Sequence, residues 1–345
     1  MPSIEQSWYQ GASWLKLLRP FSGLASCYAY FKRKNYLQKK SAGDLWKSPV
    51  PLIVVGNISV GGTGKTPFTI ALCEYLISKG KRPGIISRGY GSQSKDFPVD
   101  VTATTNVLIS GDEPLLLASR TGCPVVIDPD RVSAAKHLVE HHQVDIIISD
   151  DGMQHYRLDR DIEIALVDGQ RGFGNGRMLP EGPLRESPNR IKDVDFVVLN
   201  SPSDRFPRDW QAQAHMSSWT PLFETSEYVP MYIEAGDFVS LNEDTREVIT
   251  GELVYAVSGI GNPKRFYDTL THQGIKYQPK AFSDHHDFQM IDFVDMVDHR
   301  IVMTEKDAVK CKGYDLGNAV YLQVEAILPN GFFDKVFDKA FSESV

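Results

Sequence analysis

The stretch that most constrains this chain is Val54-Val55-Gly56-Asn57-Ile58-Ser59-Val60-Gly61-Gly62-Thr63-Gly64-Lys65-Thr66-Pro67. An apolar run, Pro51 to Val55, leads into glycines and then into a helical pattern carrying Ile70, Leu72, Leu76 and Ile77. That order predicts a strand, a phosphate loop and a helix. Glycines let backbone N–H groups approach a polyphosphate, and the helix N-terminus adds its partial positive charge. Gly61, Gly62, Thr63 and Gly64 would cradle the phosphates, Lys65 would reach the outer ones, and the Thr66 hydroxyl would ligate Mg²⁺. Ser59 stands where the general pattern has a glycine. The plainer alternative is a glycine-rich strand-to-helix turn that binds nothing.

Residues 51–225 alternate short apolar runs with helical patterns, the rhythm of a parallel α/β sheet. The expected strands are Pro51–Val55, Pro83–Ser87, Val107–Ser110, Pro124–Ile127, Asp145–Ser149, Ile162–Val167 and Phe196–Asn200. Ligands in such sheets sit at the carboxyl ends of strands, and polar motifs cluster at those ends. Arg88 and Tyr90 follow the second strand, Asp112-Glu113 the third, Arg131 the fourth, and Asp150-Asp151 with Gln154-His155 the fifth. An Asp at the tip of a second strand beside a phosphate loop holds Mg²⁺, so one of Asp150 and Asp151 is expected to do so. Two acidic pairs exceed what one Mg²⁺ needs. A carboxylate of the Asp112-Glu113 pair is then free to take a proton from an attacking hydroxyl; an exposed helix start is the alternative.

Residues 170–190, rich in Gly, Pro and Arg, predict a long ordered loop. A second unit begins with strand Leu253–Ser258 and the turn Gly259-Ile260-Gly261-Asn262-Pro263. It continues with strands near Tyr277–Phe282, Arg300–Met303 and Val320–Val324. In it, Asp284-His285-His286-Asp287 offers an imidazole held by a neighbouring acid. Thr304-Glu305-Lys306-Asp307 lacks the order of a guanine-reading motif and is left as structural or nucleotide-side packing.

The chain is 345 residues long with net charge -7, but residues 1–43 hold seven bases against one acid, Glu5. An acidic body speaks against nucleic acid as partner, and a basic arm on it suggests an anionic membrane surface. Ile4, Trp8, Leu15 and Leu18, then Phe21, Leu24, Tyr28 and Phe31, recur at helical spacing before Lys32-Arg33-Lys34. The uncharged run is shorter than the ~20 residues that cross a bilayer, so the arm reads as an interfacial helix or as one packed on its own domain. Four scattered cysteines suggest neither a disulfide framework nor a zinc site.

Taken in order, Gly61 to Pro67, Ser87-Arg88-Gly89-Tyr90-Gly91, Gly111-Asp112-Glu113-Pro114, Asp150 to His155, Gly182-Pro183-Leu184-Arg185-Glu186, the Gly259 turn, Asp284-His285-His286 and Thr304 to Asp307 closely resemble the tetraacyldisaccharide 4'-kinase family, the lipid A 4'-kinases of Gram-negative bacteria. A residue other than Gly at position 59 is usual in that family, and Met153 replaces its usual Phe. The resemblance implies transfer of the ATP γ-phosphate to the 4'-hydroxyl of an acylated glucosamine disaccharide 1-phosphate, forming lipid IVA. It places the protein on the cytoplasmic face of the bacterial inner membrane. It also implies Asp112 and His285 as a catalytic pair assisted by Lys65, and Thr66, Glu113 and Asp150 near Mg²⁺. Asp151, Gln154, His155, Arg131, Arg185, Glu186, Arg88 and Tyr90 fall near the glycolipid head group. The rival reading is a membrane-surface P-loop ATPase switch, whose signature has Lys where this chain has Val60.

The expected architecture is α/β: a P-loop NTPase-like parallel sheet core with helices on both faces, a smaller α/β C-terminal lobe and an N-terminal interfacial helix. The expected boundaries are 1–45 for the arm, 46–225 for the core, 226–250 for a connector, 251–330 for the smaller lobe and 331–345 for a C-terminal helix. Closure of that lobe would bring His285 to Asp112.

Overall fold

The computed structural model describes residues 4–201, 228–243, 245–249, 251–296 and 298–342. The end of the expected core, 202–225, therefore lies outside the described residues. Thirteen strands among the described residues form one sheet. In chain order they are β1 (Leu52–Gly56), β2 (Pro83–Ser87), β3 (Val99–Val101), β4 (Val125–Ile127), β5 (Ile146–Asp150), β6 (Ile162–Asp168), β7 (Phe196–Ser201), β8 (Tyr228–Ser240), β9 (Arg246–Glu247), β10 (Leu253–Ser258), β11 (Lys276–Ala281), β12 (Ile301–Thr304) and β13 (Ala319–Ile327). Their order across the sheet is β11-β10-β12-β13-β8-β7-β6-β1-β5-β2-β4-β3, with β9 on β8.

β1 lies parallel between β5 and β6, so its residues are buried on both faces. Side chains alternate across a strand. Ile53 and Val55 accordingly join Phe68, Leu72 and Leu76 of helix Lys65–Ser78 in one core layer, while Leu52 and Val54 join Ala134, Ala135 and Leu138 of helix Arg131–His141 in the other. Helices thus cover both faces, as expected. The C-terminal helix Phe332–Phe341 returns to the first layer, where Phe332 and Val336 pack near Phe68 and Phe196.

The described part of the expected connector is mostly strand. β8 starts parallel to β7, pairing Tyr228–Tyr232 with Val197–Ser201, then runs antiparallel to β13 from Tyr232 to Ser240. One 13-residue strand thereby merges both lobes into a single sheet. Its sequence alternates irregularly because its two halves meet different neighbours.

Val107–Ser110, expected as a strand, is a short helix capped by the Asn106 side chain, whose Oδ1 accepts from Leu108 N at 2.8 Å. A short apolar run does not declare its period, and a local Asx cap favours the helix. The Asp112-Glu113 pair therefore opens helix Asp112–Thr121 rather than ending a strand. The loop over 170–190 is ordered and partly core, with Phe173 and Leu184 buried.

The arm comprises helix Ile4–Gln10, a 3-10 segment Ser13–Leu18 and helix Arg19–Ala42. Trp8 and Leu15, expected on one apolar helical face that meets either the membrane or the chain's own domain, are buried, and Trp8 Nε1 donates to Pro180 O at 3.0 Å. The long helix docks through polar and basic side chains. Ser22 Oγ donates to Met178 O, Arg19 pairs with Glu181, and Arg33 with Asp193. Leu17, in the 3-10 segment, and Phe21, Leu24, Tyr28 and Phe31 of the long helix are each between 60% and 78% exposed and spaced by four, three, four and three residues. An exposed apolar stripe on a docked helix is the reverse of ordinary helix packing. No described helix is long and apolar enough to cross a membrane.

Candidate active site

The glycine loop leaves β1 and is held by its surroundings. Val60 N donates to Pro183 O, Asn57 Nδ2 to Thr63 Oγ1, and Asn200 Nδ2 to Thr63 O, at 2.9, 3.1 and 3.0 Å. Gly64 has φ 91°, and any side chain there would collide with Asn200 and Met231. Only glycine suits both demands. Helix Lys65–Ser78 then starts with its free N–H groups facing the loop. Lys65 Nζ lies 3.6 Å from Asp151 Oδ1.

Asp150 ends β5 and is buried, with Thr69 Oγ1 3.5 Å from its Oδ1. Burial, then the nearby Glu113 carboxylate, push it up to about 7. Asp151 turns into the left-handed region at φ 47°, which sends its side chain to Lys65 and to Arg185 Nη1 at 2.9 Å. Burial raises Asp151, but Lys65 and Arg185 outweigh it and hold the group below the usual carboxylate range. Arg185 and Glu186 reach this spot because the 170–190 loop pairs with the phosphate loop, Arg185 N donating to Ile58 O at 2.7 Å. Gln154 Nε2 joins them, donating to Glu186 Oε1 at 2.8 Å and to Asn57 O at 3.0 Å.

Arg131 is buried and donates to the carbonyls of Asp128 and Asp150 at 3.0 and 3.3 Å, while its Nε has no protein partner. Burial pulls it down to about 10. His155 is pushed down to about 3, by burial first and then by Arg131, Arg88 and Lys32. It is a neutral imidazole among cations, a setting that favours an anionic ligand.

From the second lobe, His285 Nδ1 meets Asp112 Oδ2 at 2.9 Å, and Tyr90 packs on the imidazole with ring centroids 4.9 Å apart. The two residues already touch, so the lobe movement anticipated from sequence is not needed to join them. The neighbouring His286 faces Asp292 instead, at 3.0 Å. Burial pushes Asp112 up, but the His285 hydrogen bond and then Lys306 outweigh it, so its pKa is lowered. The bond to Asp112 raises His285 against its burial. Asp112 is 5% exposed and sits behind the imidazole, whose side chain is 29% exposed. Lys306 Nζ is 3.0 Å from Glu113 and 3.8 Å from Asp112.

These groups share a cleft of about 830 Å³ that runs from the phosphate loop and Asp151 to Arg265, His285 and Lys306, and Tyr28 and Lys32 of the arm also line it. The site residues expected from sequence all line it except Asp112 and Asp150, which are buried, Asp112 against His285 and Asp150 next to Asp151 in the chain. Thr66, Glu113 and Asp150 present hard oxygen donors, the chemistry Mg²⁺ takes. The mutual repulsion of Glu113 and Asp150 is what a divalent cation relieves, so this donor set fits the ion.

Three participants had weak or no sequence signals. Asn200 ends β7, and the strand-end rule could have found it. Arg265 donates to Asn200 Oδ1 at 2.6 Å, tying the second lobe to the phosphate loop, but nothing around it in the chain announces this. Lys306 sat in a motif whose role sequence left open.

A family model described as tetraacyldisaccharide-1-P 4'-kinase matches residues 14–342. A tetraacyldisaccharide 4'-kinase of Alcanivorax borkumensis is 42% identical over 337 residues, 98% of this chain and 97% of that protein. One of Hahella chejuensis is 40% identical over 96% of this chain and 95% of that protein. The solved structure of LpxK from Aquifex aeolicus, in complex with ATP, superposes with a TM-score of 0.76 at 29% identity, covering 95% of this chain and 99% of that one.

Proposed function

This chain belongs to the tetraacyldisaccharide-1-P 4'-kinase family, and we propose from that premise that it transfers the γ-phosphate of ATP to the 4'-hydroxyl of a tetraacyldisaccharide 1-phosphate, making lipid IVA. The observation that carries the proposal is one cleft lined by both the phosphate-loop Lys65 and an imidazole backed by a carboxylate. A nucleotide switch has use for the first and none for the second.

The sugar oxygen attacks the γ-phosphorus as the bond to the β,γ-bridging oxygen breaks, and ADP leaves. The hydroxyl proton goes to the Asp112–His285 pair, Nε2 of His285 accepting it while Asp112 holds Nδ1–H. Lys65 and the loop N–H groups offset phosphate charge as it moves. Thr66, Glu113 and Asp150 would hold Mg²⁺, which when bound neutralises charge on the β- and γ-phosphates. Arg131, Arg185, Gln154, Glu186 and His155 form a polar wall suited to a phosphorylated sugar, with Arg88 and Tyr90 beside it.

The acyl chains stay in the bilayer. The outward stripe Leu17-Phe21-Leu24-Tyr28-Phe31 enters the interface and sets the cleft beside it, on the cytoplasmic face of the inner membrane, where ATP is available. The test is a radiolabelled-ATP assay with the disaccharide 1-phosphate lipid, using water and a deacylated sugar as control acceptors. Labelled lipid supports the reading; phosphate release at the same rate without lipid, and no labelled lipid, rejects it.

A further inference from the structure

Outside the residues that line this cleft, β3 closes one edge of the sheet by an antiparallel pairing with β4. Asp100, the middle residue of β3, points outward. Both of its carboxylate oxygens meet an imidazole: Oδ2 lies 2.8 Å from His137 Nε2 and Oδ1 lies 2.7 Å from His142 Nε2. His137 belongs to helix Arg131–His141. His142 does not continue that helix; it turns into an extended conformation at φ -125° and ψ 140°, which brings its ring round to the same carboxylate. His141 stacks on His137 with centroids 4.1 Å apart, and its Nδ1 is 3.0 Å from the His137 carbonyl. The stack restrains the ring that faces Asp100.

We propose that Asp100, His137 and His142 form a binding site for a divalent transition-metal cation of the Zn²⁺ class, separate from the Mg²⁺ of the kinase reaction. The three donor atoms lie within 4.8 Å of one another. Two imidazoles with one carboxylate is a ligand set that Zn²⁺ takes with water in the fourth position, and imidazole donors select against Mg²⁺. Tetrahedral ligation at the usual bond lengths sets donors about 3.3 Å apart. The two observed N···O separations are roughly half an ångström shorter, a distance that side chains 20% to 47% exposed can yield. The ion would replace two hydrogen bonds with a cross-link between an edge strand and the end of a helix. Cysteine spacing gave no hint of such a site because it uses no sulfur.

The test uses the full chain in buffer containing Mg²⁺. Zn²⁺ is titrated calorimetrically, Co²⁺ absorption separates nitrogen and oxygen ligation from thiolate ligation, and thermal melts are recorded with and without Zn²⁺. We expect one Zn²⁺ per chain, a Co²⁺ spectrum without a thiolate charge-transfer band, and a Zn²⁺-dependent rise in Tm. Binding and the Tm rise should be lost in His137→Ala and in His142→Ala, weakened in Asp100→Asn, and kept in His272→Ala. Circular dichroism checks that each variant is folded. Absence of stoichiometric binding in the unaltered chain, or binding undiminished in the His137→Ala/His142→Ala double variant, overturns the proposal.

Discussion

His285 Nδ1 lies 2.9 Å from Asp112 Oδ2, across 173 positions of sequence and from opposite lobes. The contact rests on two local features. Gly111, at φ 80°, lets the chain turn against the Tyr90 carbonyl, where a side chain would collide, and delivers Asp112 to the first turn of its helix. His285 takes the left-handed region at φ 57°, an unusual conformation for a residue with a side chain. Against its burial, the His285 hydrogen bond and then Lys306, which lies alongside, hold the Asp112 carboxylate below its ordinary value.

Proton acceptance by this pair predicts that Asp112→Asn and His285→Ala each lower kcat by ~10²- to 10⁴-fold with the KM for ATP little changed. His286→Ala, which touches Asp292 and the Phe282–Phe288 cluster, should instead lower Tm. Steady-state kinetics with the lipid acceptor decide; a raised KM for ATP at constant kcat would place Asp112 in nucleotide binding.

The same pair sets a pH signature. A base must be unprotonated, and the bond to Asp112 raises His285. The acid limb of kcat/KM should therefore lie above the ordinary imidazole value of about 6.5, activity rising with pH through it. Removing the partner's charge in Asp112→Asn should move the residual limb to lower pH. A limb that stays in place would mean that a different group titrates.

Lys65→Ala should cost ~10²- to 10³-fold or more in kcat, the scale of one lost donor to developing charge. Arg185 and Asp151 would still pair, so the fold should persist and melts should show it.

Asp150 offers a test of Mg²⁺ ligation that does not depend on turnover. Its folded pKa, about 7, lies above the unfolded one, so its contribution to stability is present in acid and lost as pH rises through about 7. Above that pH, without divalent cation, Asp150→Asn should melt no lower than the parent. Mg²⁺ should raise the parent's Tm and raise that of Asp150→Asn less. Equal responses would remove Asp150 from the ligand set.

Phe21→Glu combined with Leu24→Glu should weaken co-sedimentation with anionic vesicles while changing stability by no more than ~0.5 kcal/mol per site, because both side chains are exposed. By contrast, Glu163→Gln breaks a buried network with Arg160 and Arg190, at 2.8 and 2.5 Å, and should cost ~3–5 kcal/mol in urea melts. Vesicle binding unaffected by the double glutamate change would end the membrane reading of the stripe.

Much of the core was legible because its signals are short-ranged. β2 has the expected limits, and β1, β5, β6 and β7 fall within about a residue of them. Each is an apolar run bounded by turn residues and buried on both faces. Val107–Ser110 misled because three apolar residues and a serine carry no period, and the cap at Asn106 decided for helix. The arm misled in part: Trp8 and Leu15 share the helical spacing of Phe21 and Leu24, and spacing cannot say which apolar residues meet protein and which meet solvent or lipid.

What the amino-acid order determined by itself is the succession of strand, glycine loop, Lys65 and helix, since these are contiguous and each follows from its local residue pattern. The tertiary structure alone decided that β8 fuses the two lobes, that Asn200 and Arg265 brace Thr63, and that His285 rather than His286 meets Asp112. Those contacts join residues tens to hundreds of positions apart. Their partners are selected by packing and sheet register, which no local pattern encodes.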